Sequence, residues 1–196
     1  MRRPDFRLIG VSILLAGCAG TPVTYAPRPV ADLILRGGTI YDGSGGPGYV
    51  GDVAISGDRI VCVGQCPASG KQVIDASGLA VAPGFINMLS WATETLIADP
   101  KAQSDIRQGV TLEVFGEGES MGPLTDEMKK TNVEQQGDIK YPIEWTTLGE
   151  YLEYLERRGV ATNVASFVGA TTVRIHELDY ANRPPTAEEL ARMQAL

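Results

Sequence analysis

Between Asp32 and Val81 the apolar residues come in short runs broken by Gly, Asp and Ser, which is the pattern of strands joined by tight turns. Asp32 to Gly37 reads as a strand, and Gly37-Gly38 allows a bend before Thr39-Ile40-Tyr41. Asp42 to Gly48 is rich in turn residues. A Gly-rich loop cradles phosphate only where it opens a helix, and here more strand follows, so it reads as a hairpin connection. Asp52 to Ile55, the turn Ser56-Gly57-Asp58 and Arg59 to Gly64 form a second hairpin. Val73 to Gly78 adds a strand and a turn that lead into Leu79-Ala80-Val81. Residues 31–81 are therefore expected to form a small all-β unit.

The pattern changes at Ala82-Pro83-Gly84-Phe85-Ile86-Asn87-Met88-Leu89-Ser90-Trp91, which reads as an interior strand entered through Pro-Gly. Beyond it strand and helix alternate. Thr93 to Ile97 and Lys101 to Gln108 are helical in character, Gly109 to Gly116 is a strand, and Glu117 to Tyr141 is a long polar connection of the kind that often carries function. Trp145 to Arg158 has Leu148, Tyr151, Leu152 and Leu155 at helical spacing, Ala161 to Val168 is a third strand, and Thr186 caps a last helix over Ala187 to Leu196. Such alternation predicts βα units. A (β/α)8 TIM barrel needs about 250 residues, so at most three of its units fit. The expected fold is α/β, an incomplete barrel over residues 82–196 preceded by the all-β unit. Leu190, Met193 and Leu196 of the last helix look for a partner that this chain does not supply, as in the N-terminal part of a longer protein.

Composition narrows the class. The 196 residues carry a net charge of −7 with 43% hydrophobic residues, ordinary for a folded domain, and no basic stripe offers a footprint for nucleic acid. Arg2, Arg3 and Arg7 precede a short apolar run, Leu8 to Ala16, too brief to span a bilayer. It ends in Leu15-Ala16-Gly17-Cys18, which resembles a bacterial lipobox. Residues 1–17 thus read as a lipoprotein signal peptide, Cys18 as the acylated residue, and residues 18–30 as a Pro-rich tether. Losing the leader removes three arginines and one aspartate and leaves −9. These features predict an exported protein anchored by lipid on the periplasmic side of the bacterial envelope, at the outer membrane. In that oxidising setting Cys62 and Cys66 either close a local disulfide or stay as free thiols, and no further ligands lie near enough in sequence for a metal site.

Several segments together resemble one family. Asp32-Leu-Ile-Leu-Arg-Gly-Gly-Thr-Ile-Tyr-Asp-Gly, Gly51-Asp-Val-Ala-Ile-Ser-Gly-Asp-Arg-Ile, Val73-Ile-Asp-Ala-Ser-Gly and Ala82-Pro-Gly-Phe-Ile are similar to the opening of the amidohydrolase superfamily. Asn163-Val-Ala-Ser-Phe-Val-Gly, Thr172-Val-Arg and Pro185-Thr-Ala-Glu-Glu-Leu-Ala-Arg-Met resemble its N-acyl-D-amino-acid deacylase (D-aminoacylase) branch. The resemblance implies a small β-sandwich beside a metal-bearing barrel, and hydrolysis of a small amide substrate with zinc polarising the carbonyl and activating water.

Departures from the family pattern bear on the chemistry. Where the family has Asp-x-His-x-His on the first barrel strand, this chain has Asn87, Leu89 and Trp91, and neither Leu nor Trp ligates a metal. Where the branch has a zinc-holding cysteine after the second strand, a one-residue deletion sets Glu117. Glu117 either holds one zinc ion with ligands from later strands or forms, with Glu119, a solvated loop pair. The histidine of the third strand is replaced at Val168-Gly169-Ala170-Thr171, leaving His176 as the single histidine, a polar loop or surface residue or else a ligand or substrate contact. Arg174 either meets a substrate carboxylate bidentately or makes a structural salt bridge. The chain is expected to be the start of a metal-dependent amidohydrolase whose general base lies beyond Leu196, inactive as 196 residues alone. The rival is an envelope protein that keeps the barrel as a binding module.

Overall fold

The computed structural model describes residues 31–66 and 69–196. The expected signal peptide, acylated Cys18 and tether lie outside the described residues. The chain divides into two compact units, Met1–Val81 and Ala82–Leu196.

The first unit is a five-stranded sheet of β1 (Ala31–Ile40), β2 (Tyr49–Ser56), β3 (Arg59–Gly64), β4 (Gly70–Asp75) and β5 (Ala80–Val81). The order is β3-β2-β1-β4, with β5 pairing the far end of β1. β1–β2 and β2–β3 are the antiparallel hairpins expected, whereas β4 and β5 run parallel to β1. β1 does not end at Gly37-Gly38. Its register with β2 shifts between Leu35 and Gly38, Gly37 takes φ +71°, and its N–H donates to Asp52 Oδ1 at 2.9 Å. Only glycine adopts that φ without strain, so the Gly pair makes a bulge inside one strand. Ala31, Ile34, Ala54 and Cys66 form the core of this unit. Cys62 and Cys66 are joined as a disulfide, with Cα atoms 5.8 Å apart, pinning the chain as it leaves β3. Among the described residues this unit is one sheet.

The second unit is built on a parallel sheet of β6 (Phe85–Asn87), β7 (Val110–Phe115) and β8 (Asn163–Ser166), in the order β6-β7-β8. Two short helices, α1 (Thr95–Ala98) and α2 (Gln103–Ile106), connect β6 to β7. Two longer ones, α3 (Asp126–Gln135) and α4 (Leu148–Arg158), connect β7 to β8, and α5 (Ala170–Leu178) and α6 (Ala187–Ala195) follow. α3 lies within the long polar connection expected over Glu117 to Tyr141, and α5 places His176 on a helix and not in a loop.

α4 holds the unit together. Its Thr147 and Glu150 form a reciprocal capping box, Gly159 ends it in the left-handed conformation, and Tyr151 and Leu155 are fully buried. They pack with Leu96, Phe115, Leu124 and Trp145. Trp145 lies 5.0 Å from Tyr151 and 5.1 Å from Tyr154 in tilted ring contacts, and its indole N–H donates to the Met121 carbonyl at 2.6 Å. The Tyr151 hydroxyl donates to the Thr93 carbonyl at 3.0 Å, and burial pushes its acidity down, raising its pKa. This aromatic core fixes the connections that follow β6 and β7, and so the place where they meet.

Candidate active site

In open parallel sheets, ligands bind beyond the C-terminal ends of the strands. Three connections converge there. β6 stops at Asn87, and Met88-Leu89 turns away from the sheet, with the Leu89 N–H donating to Asn87 Oδ1 at 3.3 Å. The strand expected over Ala82 to Trp91 therefore ends before Leu89. Both Leu89 and Trp91 are exposed, Trp91 at 72%.

β7 runs into Gly116, whose φ of +82° and lack of Cβ let the chain pass against the Phe167 carbonyl. The loop that follows, residues 117–123, is clamped onto the start of α5. Gly169 N–H donates to Ser120 Oγ at 2.9 Å, Thr171 N–H to the Gly118 carbonyl at 3.0 Å, and Ser120 N–H to Thr172 Oγ1 at 2.8 Å. A Cβ on Gly169 would lie 2.6 Å from the Gly118 carbonyl, so this approach too requires glycine.

A pocket of about 370 Å³ opens between the connections that follow β6 and β7. Leu89, Trp91, Glu94, Glu117, Glu119 and Tyr141 are among its lining residues. The Tyr141 hydroxyl donates to Glu94 Oε1 at 2.9 Å, and burial together with that carboxylate raises its pKa. Glu117 and Glu119 are both exposed on the clamped loop. The pocket thus carries three carboxylates and no lysine or arginine among its lining residues.

Other expected site residues lie elsewhere. His176, on α5, lines a second cavity of about 600 Å³ with Thr172 and Glu177, and shares only the wall Glu119-Ser120-Leu124-Asn132-Gln135 with the first. Its Nδ1 lies 3.3 Å from Glu177 Oε1, and Glu177 Oε2 accepts from Arg192 Nε at 2.6 Å. Arg192, and after it His176, holds the Glu177 carboxyl below the usual range. Arg174 lines neither cavity. Its Nη2 donates to the carbonyls of Ala181 and Arg183 at 2.8 and 2.7 Å, so it ties down the α5–α6 connection and makes no salt bridge among the described residues. Among the described residues no three His, Cys, Asp or Glu side chains come together to hold a metal ion. Sequence reasoning passed over Glu94 and Glu113. Glu113 is a fully buried carboxylate in the apolar run of β7, and that placement was its one signal.

No family model matches the chain. An N-acyl-D-aspartate deacylase from Alcaligenes xylosoxydans xylosoxydans is 39% identical over 171 residues, covering 85% of this chain and 34% of that protein. A solved D-aminoacylase, studied for the functional role of its binuclear metal centre, superposes with a TM-score of 0.73 at 35% identity, covering 85% of this chain and 35% of its own. An N-acyl-D-glutamate deacylase from Bordetella bronchiseptica, solved with zinc and a phosphonate inhibitor, gives a TM-score of 0.71 at 26% identity with the same coverage. By these relatives the chain belongs to the amidohydrolase family. Within that family the chain belongs with the D-aminoacylases and N-acyl-D-amino-acid deacylases. It spans about a third of the length of these relatives.

Proposed function

We propose that the chain contributes the first part of an enzyme that hydrolyses the amide bond of an N-acyl-D-amino acid. On this reading β6, β7 and β8 with their helices are the first three units of a (β/α)8 barrel, and the all-β unit is the N-terminal part of a sandwich. The observation that carries the reading is the carboxylate-lined pocket at the C-terminal edge of the parallel sheet, where barrel enzymes place their chemistry. Export and lipid anchoring at Cys18 belong to the same proposal, on the strength of the leader.

The described side chains do not fit a complete metal site. The two first-strand positions where the family has histidines are the exposed Leu89 and Trp91, and no three-donor group forms among the described residues. Within these limits Glu117 is the proposed single donor of this chain to one zinc ion, since a carboxylate is an accepted zinc ligand and the clamped loop holds it at the pocket. His176 and Arg174 take no part in the reaction on this reading.

The test is hydrolysis of a panel of N-acetyl-D- and N-acetyl-L-amino acids by the full-length protein extracted from its membrane, with metal analysis of the same sample. Release of D-amino acids by a sample holding about one metal ion per chain supports the proposal. A metal-free sample with no amide hydrolysis overturns it in favour of a binding module.

A further inference from the structure

Glu113 has a place in the fold that burial alone does not explain. It is 0% exposed, in the middle of β7, between Leu112 and Val114. Asn87, Glu113 and Val164 are register partners across β6, β7 and β8, and so share one face of the sheet. Phe115, two residues on from Glu113, shares that face, and it and Val164 pack in the aromatic core. A carboxylate in such a setting is expensive unless its hydrogen bonds serve something. Oε2 accepts from Asn87 Nδ2 at 3.1 Å, while Oε1 has no partner among the described residues.

The single bond matters because an amide has two unlike ends. With Asn87 Nδ2 committed to Glu113, Oδ1 points the other way and takes the Leu89 N–H at 3.3 Å. That contact turns the chain out of β6. Ser90, the next residue, is held to β7 by its N–H on the Val114 carbonyl at 3.0 Å, and its Oγ accepts the Ala92 N–H at 3.2 Å. Leu89 and Trp91 leave this turn to line the pocket. The pairing also accounts for Asn at position 87, since Asp there would set two carboxylates about 3 Å apart in a buried site.

We propose that Glu113 is a positioning residue that acts through the Asn87 amide to hold the Leu89–Trp91 wall of the pocket. Its bearing on substrate rests on the pocket being the active site; its effect on the turn does not.

The test uses NMR-detected hydrogen exchange at the Leu89 amide in the full chain. Glu113→Leu fills the site with an apolar side chain of similar reach, so thermal stability is held or raised while Leu89 exchanges at least tenfold faster. A merely structural Glu113 would show the opposite, with lower stability and unchanged Leu89 exchange. Asn87→Asp speeds Leu89 exchange at least as much. Combining Asn87→Asp with Glu113→Gln restores protection, because the amide introduced on β7 donates to the carboxylate introduced on β6. Unchanged Leu89 exchange in Glu113→Leu, or a double variant no better protected than Asn87→Asp, overturns the proposal. Should Asn87→Asp fail to fold, Glu113→Leu decides alone, and should Glu113→Leu fail to fold, the proposal is overturned. Absence of amide hydrolysis in the wild type would refute the enzymatic reading and leave the exchange result standing.

Discussion

Thr172 and Ser120 hold each other reciprocally: Thr172 Oγ1 accepts the Ser120 N–H at 2.8 Å and donates to the Ser120 carbonyl at 3.2 Å. One buried hydroxyl thus satisfies both backbone groups of a residue 52 positions away and fixes to α5 the loop whose Glu117 and Glu119 line the pocket.

Replacing Thr172 by Val keeps the shape and removes both bonds, orphaning a donor and an acceptor. A loss of about 1–3 kcal/mol is expected in urea unfolding, within the range for buried groups left without partners. Limited proteolysis within residues 117–123 should speed up in the variant. Unchanged stability would mean that the loop is held by its contacts with Gly169 and Thr171.

Trp145→Phe tests the aromatic core. The change removes ring volume from a side chain that is 1% exposed and leaves the Met121 carbonyl without its indole donor. The two effects together are expected to lower stability by about 2–4 kcal/mol, read from chemical unfolding. A loss under about 1 kcal/mol would show that the connection from Met121 onward is not anchored through Trp145.

Much of this architecture was legible because pattern and burial agree. The hairpins of the first unit follow turn residues and alternation, and α4 shows its buried stripe at Tyr151 and Leu155. α3 escaped because Asp126-Glu127-Met128-Lys129-Lys130-Thr131-Asn132 is polar on nearly every side and buries no residue, so no periodicity marks it. α5 opens with Thr171-Thr172-Val173, β-branched residues that favour strands. At the site, Glu117 could be placed from its neighbours in sequence. The clamp could not, because Ser120 and Thr172 meet only once the sheet brings β7 and β8 together. Glu113 was hidden for a related reason: a carboxylate within a strand signals a solvent face, and here a layer of helices covers that face.

The N-terminus of α6 gives a pH prediction. Glu189 accepts the Thr186 N–H and pairs with Arg183 at 2.7 Å, and Arg183, followed by the Thr186 N–H, brings its carboxyl from 4.5 down to about 2. A carboxyl depressed in the folded state stabilises above its unfolded value and loses that contribution as pH falls through the folded one. Wild type should therefore lose stability relative to Glu189→Gln between about pH 4.5 and 2, with the two melting curves converging at the acid end. Curves that run parallel across this window would rule out the ion pair as the source.

Glu117→Gln addresses the metal directly. The side chain is exposed and makes no hydrogen bond to the described residues, so the substitution should shift stability by no more than about 0.5 kcal/mol. Gln keeps the size of the group and removes its charge, which separates ligation from packing. If Glu117 donates to zinc in the full-length protein, the variant should fold as wild type does and bind zinc about 10–100-fold more weakly, the scale on which changes around a bound metal act. Competition with a chromogenic chelator reads that affinity without depending on any substrate. Equal zinc affinity in variant and wild type would assign Glu117 to the solvated pair with Glu119 and move the search for ligands beyond the described residues. A wild type with no zinc affinity would remove the metal from the proposal, while the Ser120–Thr172 clamp and the Asn87–Glu113 pair would still shape the pocket.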